Sequence, residues 1–353
     1  MPDRKPFWDK EAHAERRPFL IQRGEIVRAL RDLFAVLEFV EVETAVMQVS
    51  PGNETHIHAF RTELAVPGAR DRRFLRTSPE FACKKLLAAG EKRIFEFARS
   101  FRNLSDGPLH QPEFTMLEWY RAHGRYEFLM EDCMAVVACA AQTTDTRIFA
   151  YRDRAADPFA EPERLTVVDA FDRYAGIDLL AALPPEGDAR RFALLANEAG
   201  VPVPYGESWG DIFSRILVEK VEPHLGNNRA TLLYEYPSVM SALARPKADD
   251  PRLAERFELY ICGVELANGF SELIDPVEQR RRLAAEMAEK DRIYRERYPI
   301  DDDFIAALRA MPPSCGVALG FDRLVMLATG ATRIDQVMWT PVVLPQQKDE
   351  RSL

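Results

Sequence analysis

Three stretches of the 353-residue chain predict an α+β fold, an antiparallel sheet flanked by helices. Ile94–Phe101 and Phe114–Tyr120 read as antiparallel strands joined by a long loop, whose Ser105, Asp106, Gly107 and Pro108 are turn formers. Arg256–Leu273 has strand spacing at Asn268, Phe270 and Glu272, alternating with Gly269 and Ser271. Gly316–Gly330 reads as a short apolar strand followed by an amphipathic helix.

Residues 1–20 read as an irregular N-terminal arm, and 21–353 as one domain. Its first helix starts near Ile21, with Ile26, Val27, Leu30, Leu33, Phe34 and Leu37 on one apolar face. Phe39–Met47 alternates as a strand. Thr55-His56-Ile57-His58 puts two imidazoles on one strand face, with no further ligand nearby to complete a metal set. Ser78-Pro79-Glu80 is a helix start: Ser78 as N-cap, Pro79 in the first turn, and an acid at the positive end of a helix running through Leu87. Tyr126–Gln142 is an apolar helix. From about 143 to 250 the pattern is irregular and reads as an insertion, with a helical piece over Trp209–Val221. Asp275–Arg297 is a charged helix, and its Arg280-Arg281-Arg282 run reads as a solvated face.

A net charge of −9 argues against affinity built on broad phosphate neutralisation, although it does not exclude nucleic acid. The five cysteines contain no CxxC pair and are odd in number, which fits a reduced cytoplasm rather than a disulfide framework or a zinc site. The charged N-terminus has no apolar run that would serve as a signal or an anchor.

The chemistry concentrates in Phe101–Arg121, FRNLSDGPLHQPEFTMLEWYR. Strand spacing puts Phe114, Met116, Glu118 and Tyr120 on one side, while Arg102 and His110 flank the mouth of the loop. Two cations beside an aromatic plate suit a nucleotide triphosphate, although the same residues singly make a surface charge, a turn histidine and a core aromatic. In Arg256–Leu273, Glu258 and Glu265 lie an odd number of residues apart, so a straight strand would part them and a bend near Cys262-Gly263 would reunite them.

The Phe101–Arg121 stretch resembles motif 2 of the class II aminoacyl-tRNA synthetases, in the form closest to lysyl-type enzymes. The helix and strand ending in Glu-Thr resemble motif 1, with Ala45 where the family has Pro, and GVALGFDRLVMLATG resembles motif 3. The resemblance implies the class II catalytic fold, a dimer, and use of ATP with Mg²⁺. It implies that Arg102 bridges the amino-acid carboxylate and the α-phosphate, His110 meets the outer phosphates and Phe114 stacks on adenine. Leu104 replaces the usual acid, leaving the backbone of Arg102, Asn103 and Leu104, together with Gln111, as candidates for the adenine edge. Glu258 and Glu265 would hold Mg²⁺ as hard oxygen ligands. Leu266 would contact ATP through its backbone, Gly320 would let the backbone approach it, and Arg323 would meet the triphosphate. On the substrate side, Ser78, Pro79 and Glu80 would touch the amino acid, with Glu80 on its amino group. Asn268 would take its carboxylate, and Glu272 with Tyr120, on the face shared with Glu118, would take the side-chain ammonium. Ala318 stands where lysine-charging enzymes have Gly, so its methyl reshapes the pocket.

Only about twenty residues precede the expected first helix, too few for the anticodon-reading domain of lysyl-tRNA synthetases. The chain is therefore identified as a member of the elongation factor P–lysine lysyltransferase family, stand-alone lysyl-synthetase paralogues. That implies ATP-dependent activation of lysine or (R)-β-lysine and transfer to a lysine ε-amine on elongation factor P. The alternatives are tRNA aminoacylation by a truncated synthetase and a non-catalytic amino-acid sensor.

Overall fold

The computed structural model describes residues 5–105, 107–183 and 188–342, so Asp106 of the motif 2 loop lies outside the described residues. Its centre is an eight-stranded sheet in the order Val40–Glu41, Arg93–Phe101, Glu113–Ala122, Ser314–Gly320, Val264–Ser271, Leu253–Ile261, Thr231–Pro237, Glu163–Thr166. The six inner strands pair antiparallel, while each edge strand joins parallel. Alternation along the strands decides which face is buried. Leu117, Trp119, Val317, Leu319, Phe257 and Leu259 point to the main core, where they meet Ile26, Leu30, Phe34, Leu129, Val136, Leu324 and Val325 from three helices. The opposite face carries the polar residues and is covered by the helices Glu80–Ala88, Pro276–Tyr294 and Asp302–Ala307. No helix among the described residues is long and apolar enough to cross a membrane.

The structure corrects several boundaries. The first helix runs Lys10–Val36, so the described part of the expected arm is mostly helical. Asp9 caps it by accepting from the amides of Glu11 and Ala12. Pro18 lies inside it, and its helix-breaking character hid the N-terminal turns from a reading of the sequence. The expected Phe39–Met47 strand is broken into Val40–Glu41 and, in a separate sheet, Met47–Gln48, with Thr44 between them drawn into hydrogen bonds with Glu96 and Arg76. The second helix begins at Glu80 with Pro79 as its N-cap residue, one place later than expected, and Ser78 Oγ accepts from the Glu80 amide at 3.4 Å. The Trp209–Val221 piece is an α-helix only to Ile216 and continues as a π-helix.

The insertion is narrower than its composition suggests. Glu163–Thr166 and Thr231–Pro237 belong to the main sheet. Between them, short helices pack around their own core of Phe171, Phe192, Trp209 and Phe213. The first turn of the Trp209 helix, capped by Ser208 and Asp211, reaches the mouth of the cleft described next.

Candidate active site

A cleft of about 990 Å³ opens over the polar face of the sheet and gathers most of the residues singled out in the sequence. Register explains the gathering. Glu118, Ala318, Asn268 and Glu258 lie directly across from one another on four neighbouring strands, and Tyr120 lies opposite Gly316. Cys262 and Gly263, both at positive φ, form a two-residue hairpin turn that returns Glu265 to the face of Glu258, which is the bend the spacing required. A bulge follows, with Tyr260 opposite Glu265 but Leu259 opposite Ala267. The extra residue, Leu266, puts Asn268 and Phe270 on that same face.

One end of the cleft is cationic. The Arg102 guanidinium lies 5.3 Å from the centre of the Phe114 ring, a cation–π contact. Burial pulls the Arg102 pKa down, while Glu54 is the strongest of the charges that raise it. Arg323 donates to the Glu265 carbonyl at 2.7 Å and meets His110 Nε2 at 3.0 Å, so the motif 2 loop and the motif 3 helix are tied together. A side chain at Gly320 would meet the Arg323 stem at 3.3 Å, so glycine keeps this approach close. Among the described residues, Arg102 Nε and Gln111 Oε1 are buried without hydrogen-bond partners, one donor and one acceptor on residues lining the same cleft.

The other end is anionic. Tyr120 donates its hydroxyl proton to Glu118 Oε1, while Glu118 Oε2 is buried with no hydrogen-bond partner among the described residues. Burial, with Glu80 adding to it, pushes the Glu118 carboxyl well above the usual carboxylate range. Glu80 is bound 2.5 Å from Lys84 Nζ, one turn along its helix.

Between the two ends lie the carboxylates expected to hold a metal. Glu258 is saturated on one side: Oε2 accepts from Tyr236 at 2.6 Å and Tyr260 at 2.7 Å, and Oε1 accepts from Arg256 at 2.6 Å. Among the described residues, no hydrogen bond is made to the Glu265 carboxylate, whose tip is open to the cleft. The surrounding protein, with Glu258 adding to it, pushes its pKa up to about 7. No three His, Cys, Asp or Glu side chains cluster as a metal set among the described residues. Two carboxylates are nevertheless a sufficient protein share for Mg²⁺, which commonly completes its shell with substrate phosphates and water.

Four expected contacts fall outside the cleft lining: Asn103, Leu104, Pro79 and Glu272. Leu104 is 78% exposed, and the amides of Arg102, Asn103 and Leu104 are already spent on Pro112, His58 and the Asn103 side chain. Among the described residues, Gln111 Oε1 has no hydrogen-bond partner, so its amide is not spent in this way. Glu272 is sealed behind Tyr120 and Gly316 and lies 2.6 Å from Lys84 Nζ, so a cation of the protein already holds it. The two imidazoles are also engaged, His58 with Glu296 at 2.8 Å and His56 with the Tyr294 hydroxyl at 2.8 Å.

Three participants escaped the reading of the sequence. Arg256 joins Glu258 to Asn268, donating to Asn268 Oδ1 at 3.1 Å and leaving the amide NH₂ of Asn268 for a ligand. Its placement two residues before Glu258 on one strand was the available signal. Lys84 bridges Glu80 and Glu272, a pairing whose long-range half the sequence does not display. Glu54 lines the cleft from a loop with no motif to mark it.

Comparison with known proteins shows the family of the chain. The family described as tRNA synthetases class II (D, K and N) matches residues 4–343. The elongation factor P–(R)-beta-lysine ligase of Vibrio cholerae is 37% identical over 327 residues, covering 91% of this chain and 94% of its own length. That of Proteus mirabilis is 38% identical over 333 residues, covering 92% and 94%. The lysine–tRNA ligase of Moorella thermoacetica is 35% identical over 353 residues, covering 98% of this chain and 69% of that protein.

Proposed function

Because the chain belongs to the class II tRNA synthetases of the D, K and N group, we propose that it activates lysine or (R)-β-lysine with ATP and transfers the aminoacyl group to a lysine ε-amine of elongation factor P. The observation that carries the reading is the opposed polarity of one continuous cleft. Arg102, Arg323 and His110 suit a triphosphate at one end, and Glu80, Glu118 and Tyr120 suit ammonium groups at the other. Relatives named for the transfer to elongation factor P, matched along nearly their whole length, support the acceptor.

In this reading Phe114 and Gln111 hold the adenine, and the backbone at Leu266 and Gly320 lies along the nucleotide. Arg102 and Arg323 offset the charge that develops as the amino-acid carboxylate attacks the α-phosphorus and pyrophosphate leaves. Holding both reactants in one cleft supplies the entropic share of the rate. Mg²⁺, when bound, would neutralise phosphate charge, with Glu265 as its open ligand and Glu258 beside it. Asn268 orients the substrate carboxylate, and Glu80 with Ser78 takes the amino group nearest to it. Glu118 and Tyr120 face the remaining ammonium directly, while Glu272 acts from behind on Glu80 through Lys84. The exposed apolar side chains Val36, Val40, Met47 and Val49, around the motif 1 segment, suit a homodimer, and a cytoplasmic setting fits the five free cysteines.

The enzyme reading is tested by amino-acid-dependent ATP–pyrophosphate exchange. Exchange is expected with lysine or β-lysine, whereas binding of the amino acid without exchange would identify a sensor. Ala318 carries a finer expectation. Its methyl lies on the line between Glu118 and Asn268, where moving an amino group by one carbon changes the fit. Ala318→Gly is expected to shift the ratio of β-lysine to α-lysine adenylation about tenfold towards α-lysine, the usual scale for one methyl in a pocket. An unchanged ratio would remove Ala318 from specificity.

A further inference from the structure

Aminoacyl transfer to a lysine poses a proton problem that the adenylation machinery does not solve. A free lysine ε-amine has a pKa of about 10.4, so near neutral pH only a few molecules in roughly ten thousand carry the lone pair needed for attack. We propose that Glu54 is the general base of the transfer step, taking a proton from the acceptor's ε-ammonium inside the cleft. This role rests on the acyl-transfer reading given above.

Glu54 is held for such a task. The loop that carries it is pinned on both sides: Thr77 Oγ1 donates to the Pro51 carbonyl at 2.5 Å, Asn53 donates to the Pro299 carbonyl at 3.3 Å, and the Thr55 amide donates to Glu286 at 3.0 Å. The carboxyl folds back over Gly52, where a Cβ would lie 2.6 Å from Glu54 Oε2. Gly52 also has φ +113°, a conformation that favours glycine. Glu54 Oε2 is buried and accepts no hydrogen bond among the described residues.

Most other carboxylates of the cleft have a partner, although Glu118 keeps one oxygen without a hydrogen bond among the described residues. Glu80 is paired with Lys84, Glu118 with Tyr120, and Glu258 with Arg256 and two tyrosines. Asp322 is held by Arg23 and the Thr115 amide, Glu289 by Arg292 and Glu286 by Thr55, while Glu265 faces the proposed metal. Glu54's charged neighbours are Glu80 from one helix, Arg102 from the hairpin, and Glu286 and Lys290 from another helix. Glu54 lines the same cleft as Arg102 and Glu80, the proposed partners of the substrate's carboxylate and amino group, so in this proposal it serves the acyl carbon held between them. Burial, with Glu80 adding to it, pushes its pKa up to about 7, where a base both accepts and releases protons near neutrality.

The step balances. The acceptor ammonium gives one proton to the Glu54 carboxylate, and the freed lone pair attacks the acyl carbon. The C–N bond forms, the bond from the acyl carbon to the phosphate oxygen breaks, and AMP departs. The second N–H proton lost on forming the amide passes to the departing phosphate.

The test uses the full chain loaded with ATP and β-lysine. Single-turnover transfer from the adenylate is followed to elongation factor P and, separately, to hydroxylamine, which is already neutral at pH 7 and needs no base. In Glu54→Gln, the ratio of protein transfer to hydroxylamine transfer is expected to fall about 100-fold at pH 7, the scale of a lost general base. The deficit should close as the pH rises towards the acceptor's own pKa, and the inflection near pH 7 in the parent's transfer rate should vanish. Glu54→Asp should keep the inflection with a smaller loss, which preserves the test should the Gln variant fold poorly. An unchanged ratio, or an inflection retained in Glu54→Gln, would overturn the proposal. If the unaltered chain reacted with hydroxylamine but not with the protein, the acceptor assignment itself would fall, and this role with it.

Discussion

Arg102→Ala is expected to slow lysine-dependent ATP–pyrophosphate exchange by about 10²- to 10³-fold, the usual cost of removing one preorganised charge from a transition state. Arg102 lies at the end of the Arg93–Phe101 strand with its guanidinium over Phe114, and Glu54, Glu265 and Glu118 act on it electrostatically. Without it, the cationic end keeps Arg323 but loses the group that can touch carboxylate and phosphate together. Lysine at this position is not expected to restore the rate, because an ammonium cannot reproduce the planar two-point contact or the stacking. Exchange within threefold of the parent would show that the site works without Arg102. Thermal unfolding followed alongside separates lost chemistry from lost fold.

Lys84→Met is expected to destabilise the protein by about 3–5 kcal/mol at pH 7.5, the usual result of removing one partner from a buried ion pair. Lys84 is 1% exposed and binds Glu80 at 2.5 Å and Glu272 at 2.6 Å. Burial opposes its charge, but Glu272 and Glu80 outweigh burial and raise its pKa, so the ammonium persists. Burial likewise raises the Glu272 carboxyl while Lys84 opposes that rise. In the variant the burial remains, with Glu80 adding to it. A carboxyl whose folded pKa exceeds its unfolded one weakens the fold above the unfolded value and stops doing so once protonated. The variant's deficit should therefore shrink as the pH falls from 7.5 to 5, as measured by urea unfolding at each pH. A deficit that grew on acidification would contradict the pairing.

The fold was legible where local periodicity and tertiary placement agree. Phe114, Met116, Glu118 and Tyr120 line the cleft as their spacing requires, and the Cys262-Gly263 bend joins Glu258 to Glu265. Alternation cannot, however, reveal a slip in register. The Leu266 bulge moves Asn268 and Phe270 onto the face of Glu265, and only pairing with the neighbouring strand exposes it. Pro18 concealed the start of the first helix, because a proline read in isolation stops a helix that tertiary packing keeps. The family resemblance implies a substrate contact for Glu272, and its strand spacing is compatible with one. What intervenes is Lys84, whose buried Nζ reaches it from another element. The inserted helices stayed mute because their apolar residues serve a private core, and only the Ser208–Asp211 turn meets the cleft.

The most direct test of the central claim gives the full chain ATP, β-lysine, purified elongation factor P and tRNA in one reaction and then weighs both acceptors by mass spectrometry. The account predicts a gain of one lysyl group on elongation factor P, lost when its acceptor lysine is replaced, and none on tRNA. A gain on tRNA alone would contradict it.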